Sequence, residues 1–398
     1  MTLFTELSAC PEKLLLVLCA RTDRPPQVQA QIREIAARRI DWDYVMDAAT
    51  ENSVVPLLHR QLHAAADSTP AAVRDQLTTA NRANTVRCLF LSAELAKIVE
   101  LLRVQRVVAL PYKGPVLAMQ AYGDVTLRDF DDLDIVVRQA DMMKADEVLR
   151  SLGYRPKFEW LLSGKTSRWM APGEYKYVDA ARRAIVELHT EVTLRHFPKA
   201  PDLERLASRA ATIELGGRGV PTFCAEDGLP ILSVHGAKDF WERISWVADV
   251  AELVRSQALI NWDEALRSAE TSGAARMLNL GLLLAADVLD APLPSEILRL
   301  LRRDGEAAQL STDLARRLLN RDEPPMDARA IFRFRRHMVM GRSAGWVYAL
   351  RLSLLPAEED LNAVRLPIAV APLYFAVRPL RLLRKYHSAR TGRPDSGR

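Results

Sequence analysis

Between Glu12 and Arg106 apolar residues recur at helical spacing. Leu91, Leu95, Ile98, Val99 and Leu102 stand four, three, one and three residues apart, which lines one face of a helix. Another such run begins at Trp42, with Asp41 before it as a cap. Pro25-Pro26 and Ser68-Thr69-Pro70 mark breaks between helices. At Arg106 the pattern changes. Val107 to Leu110 is a short apolar run closed by Pro111, the mark of a buried strand. Lys113-Gly114-Pro115 is a turn, Val116 to Tyr122 returns to helical spacing, and Gly123-Asp124 ends it. A strand over Leu133 to Val137 and a helix over Ala140 to Leu152 follow, with Gly153 suited to a left-handed position at the helix end. The aromatic-rich stretch Tyr154 to Val178 predicts a hairpin and loops. A strand over Ala184 to Thr190 sets Ile185, Glu187 and His189 on one face, Val186 and Leu188 on the other. Beyond Pro221 helical spacing returns over Leu229 to Arg255, Asp263 to Leu289 and Pro294 to Leu319.

This succession predicts an α+β fold in which a small mixed-sheet core, residues 106–220, is flanked by an N-terminal helical region, 1–105, and a C-terminal one, 221–365. The tail, 366–398, differs. Ile368 to Leu383 is apolar but holds Pro372 and Pro379, and Arg378, Arg381, Arg384 and Lys385 cluster at its end. Packing onto the helical region is its expected fate, because the prolines limit a continuous amphipathic helix. Peripheral contact with an anionic membrane is the alternative. Ser388 to Arg398 is polar and is expected to be disordered.

Composition narrows the classes. The 398 residues are 49% hydrophobic and 26% charged, as in a soluble globular protein able to bury a core without staples. The net charge of +5 is too diffuse to name nucleic acid as a partner. Cys10, Cys19, Cys88 and Cys224 form no Cys-x-x-Cys pair, which argues against structural zinc and for buried thiols in a reducing compartment. The apolar stretch Leu14 to Ala20 makes a poor signal peptide, with only Lys13 as a preceding base and Glu6 and Glu12 nearby. The expected location is the cytoplasm, with the inner membrane face as a peripheral option.

Chemistry concentrates at Asp132-Leu133-Asp134, at the mouth of a strand. Residues two apart on a strand face the same side. Paired carboxylates repel, and a divalent cation is the usual resolution. Glu187, on a neighbouring strand, is the candidate third acid; Asp179 or Glu191 replaces it if it faces the wrong way. Gly114, between a strand and a helix, lets backbone approach a phosphate at a helix N-terminus. Lys113 and Arg128 add charge for a triphosphate. His189 shares the Glu187 face and is placed to bind phosphate or to orient a carboxylate. His235, and Trp241 and Trp246, are weighed chiefly as packed residues.

The run Leu110 to Leu117, then Tyr122, Arg128 and Asp132 to Val137, resembles the uncharacterised bacterial nucleotidyltransferase family of the polymerase-beta-like superfamily. Val186-Glu187-Leu188-His189, His235 to Lys238, Trp246 to Val250, the Asp41-Trp42 region and Tyr374 to Leu383 extend the resemblance over most of the chain. The resemblance implies Mg2+ (or Mn2+) held by Asp132, Asp134 and Glu187, which are then the catalytic acids, and an NTP whose phosphates lie at Gly114, where Lys113, Arg128 and His189 are the further nucleotide-binding candidates that the residues themselves offer. It implies transfer of a nucleoside monophosphate to an acceptor, with release of pyrophosphate. A sugar, a lipid-linked group, a peptide or an RNA are the acceptors open, polysaccharide- or peptide-modification genes being frequent neighbours of relatives. Two positions depart from the wider superfamily. Pro115 follows the glycine where serine or glycine is usual, and Glu187 stands where aspartate is common. They keep a non-catalytic nucleotide-binding scaffold as the second reading; an RNA-modifying, toxin-like transferase is the third.

Overall fold

A computed structural model describes residues 10–159, 173–181, 183–191, 202–320, 326–356, 358–364, 366 and 368–391. Helices α1 (Pro11–Cys19), α2 (Pro26–Ala36), α3 (Trp42–Glu51), α4 (Val55–His63) and the long α5 (Ala71–Val104) open the chain. Asp41 caps α3, its carboxylate accepting the Tyr44 N–H. Pro26 begins α2 and Pro70 precedes α5, positions where a missing N–H costs no helix bond.

The sheet segment follows as β1 (Ala109–Pro111), the short helix α6 (Gly114–Leu117), β2 (Asp132–Val137), α7 (Met142–Ser151), β3 (Tyr154–Pro156), β4 (Glu174–Asp179) and β5 (Ile185–His189). Then come α8 (Leu203–Ser208) and the hairpin β6 (Ala211–Leu215) and β7 (Arg218–Thr222). Among the described residues the larger sheet has the order β1-β2-β5-β4-β3. β2 and β5 pair in parallel, and the other pairs are antiparallel. One face is a core surface. Leu133, Ile135, Val137, Tyr177, Val186 and Leu188 pack there against α5, through Leu91, Leu95, Ile98 and Leu102, and against α7. This is the apolar face that the two-residue alternation requires.

The remaining helices are α9 (Ala225–Lys238), α10 (Ile244–Ser256), α11 (Trp262–Ser272), α12 (Ala275–Leu289), α13 (Ser295–Leu301), α14 (Gly305–Leu319), α15 (Ala328–His337), α16 (Arg342–Leu354), α17 (Glu358–Ala363) and α18 (Tyr374–Thr391). They share one core with the N-terminal helices: Leu16, Ile32, Leu58 and Leu62 lie in the same cluster as Val247, Leu253, Leu278 and Leu282. The chain is thus an α+β protein, a small mixed sheet flanked by helices from both ends of the sequence.

Several elements differ from expectation. Each of the three helical stretches beyond Pro221 is two helices; Leu229 to Arg255 divides where Phe240 and Trp241 turn the chain in left-handed conformations. Trp241 is buried between α9 and α12, where Gly236 and Gly281 make room; a Cβ at Gly236 would lie 2.6 Å from its ring. The helical stretch after Gly114 widens into a π-turn over Ala118–Tyr122 before Gly123 ends it at φ 72°. Gly153 is left-handed as expected, at φ 89°. In the tail, α18 runs through Pro379 and carries Ser388 to Thr391, expected to be disordered, as helix. Its inner side packs partly on the helical region, as expected, Arg378 being buried against Leu352 and Asp360, and partly on the sheet core, where Tyr374 is buried. Residues 160–172 of the expected hairpin region and 392–398 of the tail lie outside the described residues.

Candidate active site

The register of β2 and β5 sets Asp134 opposite Glu187. Alternation then puts Asp132, Asp134, Glu187 and His189 on the sheet face away from α5. β4 adds to this face: Lys176 stands opposite Glu187, and Glu174 opposite His189. Toward β1 the same face is apolar, Leu110, Tyr112 and Val136 packing under Leu206, Phe223 and Ile231. The acids therefore form a polar stretch of this face bordered by a small dry cluster.

Asp134 is the hub. Its Oδ1 accepts from Lys113 Nζ at 3.1 Å and lies 3.0 Å from His189 Nε2. His189 Nε2 is also 3.9 Å from Glu187 Oε2, and Lys176 Nζ is 2.7 Å from Glu187 Oε1. The Tyr112 ring meets His189 edge-on at 5.5 Å, with Lys113 Nζ 5.1 Å from its centre. Asp134 Oδ2 is buried without a hydrogen-bond partner, an arrangement that is costly for a carboxylate. One ligating atom each from Asp134, Glu187 and His189 lies within 4.8 Å of the others, and all three side chains are largely withdrawn from solvent. Two carboxylates and an imidazole, with one oxygen unclaimed, form a donor set that fits a divalent cation. Asp132 stands on the same face but outside this group.

The acids divide in acidity. Burial, then the charges of Asp134 and Glu187, push the Asp132 carboxyl up to about 7. Burial, then Glu174 and Asp134, also raise Glu187. Asp134 goes the other way: burial opposes its charge, but Lys113 and the His189 hydrogen bond outweigh it and hold the group well below the usual carboxylate range. Lys113 is raised; burial works against its charge, and Asp134 and Asp132 more than offset it.

Gly114 starts α6 at φ +50°, directly after β1 and the Lys113 bend. A Cβ there would sit 3.1 Å from the Asp132 carbonyl, so glycine is needed both for the backbone and for its approach to β2. Arg128 stands apart from the arrangement expected of a phosphate ligand. Its Nε and Nη2 donate to the two oxygens of Asp249, at 2.8 and 2.9 Å, and Tyr122 Oη donates to Asp249 Oδ1 at 2.7 Å. This buried cluster ties the segment before β2 to α10. Arg128 adds positive potential at Asp132 but spends its fork on Asp249.

His235, on α9, packs edge-on against Trp246 at 5.5 Å. Burial first, then Lys113 and Lys238, lower its imidazole well below the ordinary value, so it is neutral beside the site. Trp246 is half-buried and Trp241 is core. The fallback acid Asp179 serves the β4–β5 turn, accepting the N–H groups of Arg183 and Ala184. Sequence reasoning missed Lys176. The alternation of Glu174, Lys176 and Val178 with Tyr175 and Tyr177 was its available signal, but the strand partner was not.

A family described as "Uncharacterised nucleotidyltransferase" matches residues 38–290. That span runs from ahead of α3 to just past α12 and includes the whole acid face. No curated protein matches the chain.

Proposed function

This chain belongs to the uncharacterised nucleotidyltransferase family, and on that premise we propose that it moves a nucleoside monophosphate from an NTP to an acceptor and releases pyrophosphate. The observation that carries the reading is the buried Asp134, Glu187 and His189 set with its unclaimed Asp134 oxygen. Asp134 and Glu187 would hold Mg2+ or Mn2+ with His189, the imidazole nitrogen favouring Mn2+, and Asp132 stands on the same sheet face. When bound, the cation supplies Lewis-acid stabilisation of charge on the phosphates.

The chain's own groups have separable tasks. Lys113, at the start of the glycine turn, supplies a buried positive charge for the triphosphate. Gly114 lets the backbone approach it, and Pro115, which lacks an N–H, removes one donor from that turn. In the transfer the acceptor oxygen bonds to the α-phosphorus as the bond to the bridging oxygen breaks, and the hydroxyl loses its proton. Asp132, which stands outside the cation-holding set and whose acidity burial weakens, is the carboxylate able to take it.

One observation favours a second reading, a nucleotide-binding scaffold without turnover. Asp134 and Glu187 already carry ammonium partners in Lys113 and Lys176. The two readings separate on one assay. The chain is incubated with each NTP, Mg2+ or Mn2+, and candidate sugar, lipid-linked, peptide and RNA acceptors, and pyrophosphate and acceptor mass are followed. Transfer yields both signals, and Asp134→Asn loses them. Saturable NTP binding with no pyrophosphate from any combination supports the scaffold.

A further inference from the structure

The C-terminal helices leave apolar side chains in water where a surface helix usually carries charge. On α16, Trp346, Val347, Leu350 and Leu354 are 45–49% exposed, and their spacing puts them on one face. The opposite face, with Tyr348, Ala349 and Leu352, is buried. A helix apolar on both sides calls for cover on both. α18 behaves alike. Inward, Arg378 donates to Asp360 at 3.0 Å and to the Leu352 carbonyl at 2.9 Å. Outward, Leu380 and Leu383, with Leu373 just ahead of the helix, are 54–66% exposed.

Charge gathers in the same part of the chain. Residues 326–398 hold 14 Lys and Arg against 5 Asp and Glu, a net +9; the whole chain is +5, so the first 325 residues sum to −4. On α15, Arg329, Arg333 and Arg336 recur at helical spacing and, with Phe332, line a cavity of about 490 Å³. Arg329 and Arg333 are exposed and have no ion-pair partner among the described residues. The Arg336 guanidinium lies 5.6 Å from the centre of the Trp346 ring, and Phe332 lies 5.4 Å from the same ring. The cationic groove and the apolar stripe of α16 are therefore contiguous.

We propose that this surface docks on an anionic lipid bilayer. The α16 stripe, with the outer leucines of α18, enters the headgroup–acyl boundary, and the α15 arginines take lipid phosphates. Among the described residues no helix is long and apolar enough to cross a membrane, so the contact is with the interface. Nucleic acid would match the arginines but would leave Leu350, Leu354 and Leu380 without a purpose. A second copy of the chain would set two strongly cationic surfaces against each other.

The test is flotation of the full chain, without nucleotide or metal, so that its failure and failure of the transferase reading are distinguishable. Vesicles of phosphatidylcholine with roughly 30% phosphatidylglycerol should carry the protein; pure phosphatidylcholine should not, and high salt should release it. Leu350→Glu and the Arg329→Ala, Arg333→Ala double variant should each lower partitioning by about tenfold. Both change exposed side chains, so an unchanged melting temperature confirms that the fold is intact. Absence of flotation by the unaltered chain overturns the proposal, as does flotation that both variants retain. A dimer that Leu350→Glu dissociates, or RNA binding that the arginine variant loses, each without vesicle binding, overturns it equally.

Discussion

Arg128, Tyr122 and Asp249 form one buried ionic cluster; Asp132, Asp134 and Glu187, with Lys113, Lys176 and His189, form another on the neighbouring sheet face. In the first, one guanidinium meets one carboxylate through two hydrogen bonds, and a phenol donates a third. In the second, four carboxylates, Glu174 of β4 among them, face two ammonium groups, and one buried oxygen accepts nothing. Buried charge is stable where every lone pair is claimed, and breaking such a pair is costlier than never having made it. The complete cluster is thus a fastening. The incomplete one has the unspent negative potential that a cation and a phosphate chain would satisfy. Sequence spacing alone put Arg128 with the second group; its partner, 121 residues further on, puts it with the first.

The comparison is most sharply tested at Asp134. Asp134→Asn should lower pyrophosphate release by at least about a thousandfold, about 4 kcal/mol of barrier, while circular dichroism shows a folded chain. Turnover that survives in this variant would remove the incomplete cluster from the chemistry. The fastening is tested at Asp249. Asp249→Ala strands the Arg128 charge and should cost on the order of 3–5 kcal/mol in urea denaturation. Full stability accompanied by weakened NTP binding would return Arg128 to the phosphate. A smaller effect is expected at His189. His189→Ala should weaken Mn2+ binding, followed by electron paramagnetic resonance, by roughly 10–100-fold; an unchanged affinity would leave the cation to the carboxylates alone.

The smallest expected effect is on pH dependence. The folded Asp132 carboxyl is raised from 3.8 to about 7, so between these values the metal-free folded chain holds a proton that the unfolded chain has lost. Its contribution to stability therefore falls as pH rises across that window and is level above it. Asp134, being depressed, contributes in the opposite sense and only as pH falls below the ordinary carboxylate range. Melting temperatures of the metal-free chain and of Asp132→Asn should converge toward acid and separate toward neutrality, with the variant more stable at neutral pH. Parallel curves would mean that Asp132 titrates normally.

What was legible in the sequence follows from what local patterns encode. Alternation in Ile185 to His189 told which side Glu187 and His189 face, because strand geometry leaves no choice. Gly114 between strand and helix was legible for the same reason, its positive φ being a backbone demand. Asp41 announced a cap. Partners distant in sequence were not legible. Nothing near Lys176 says that β4 lies beside β5 in the register that meets Glu187, and nothing near Arg128 points to Asp249. The break at Phe240 and Trp241 was not legible, since neither residue is a turn former and a buried tryptophan and a helix interior read alike. The polar residues Ser388 to Thr391 show the converse, a helix continued where composition predicts none.

The shared core of the two helical regions has a consequence for the chain during its synthesis. Leu16, Ile32, Leu58 and Leu62 cover themselves with Val247, Leu253, Leu278 and Leu282, partners that lie roughly 190–270 residues later. At a ribosomal rate of about 5–20 residues per second, the N-terminal helices wait on the order of 10–50 seconds with their apolar faces uncovered. The strands of the sheet and the α5 helix against it all fall within residues 71–189, but their core also takes Leu215, Val220, Leu361 and Tyr374 and so closes late as well. The nascent chain therefore leaves apolar surface uncovered on the first four helices and on the sheet alike until its later helices emerge, and that interval is when a holding chaperone has most to bind.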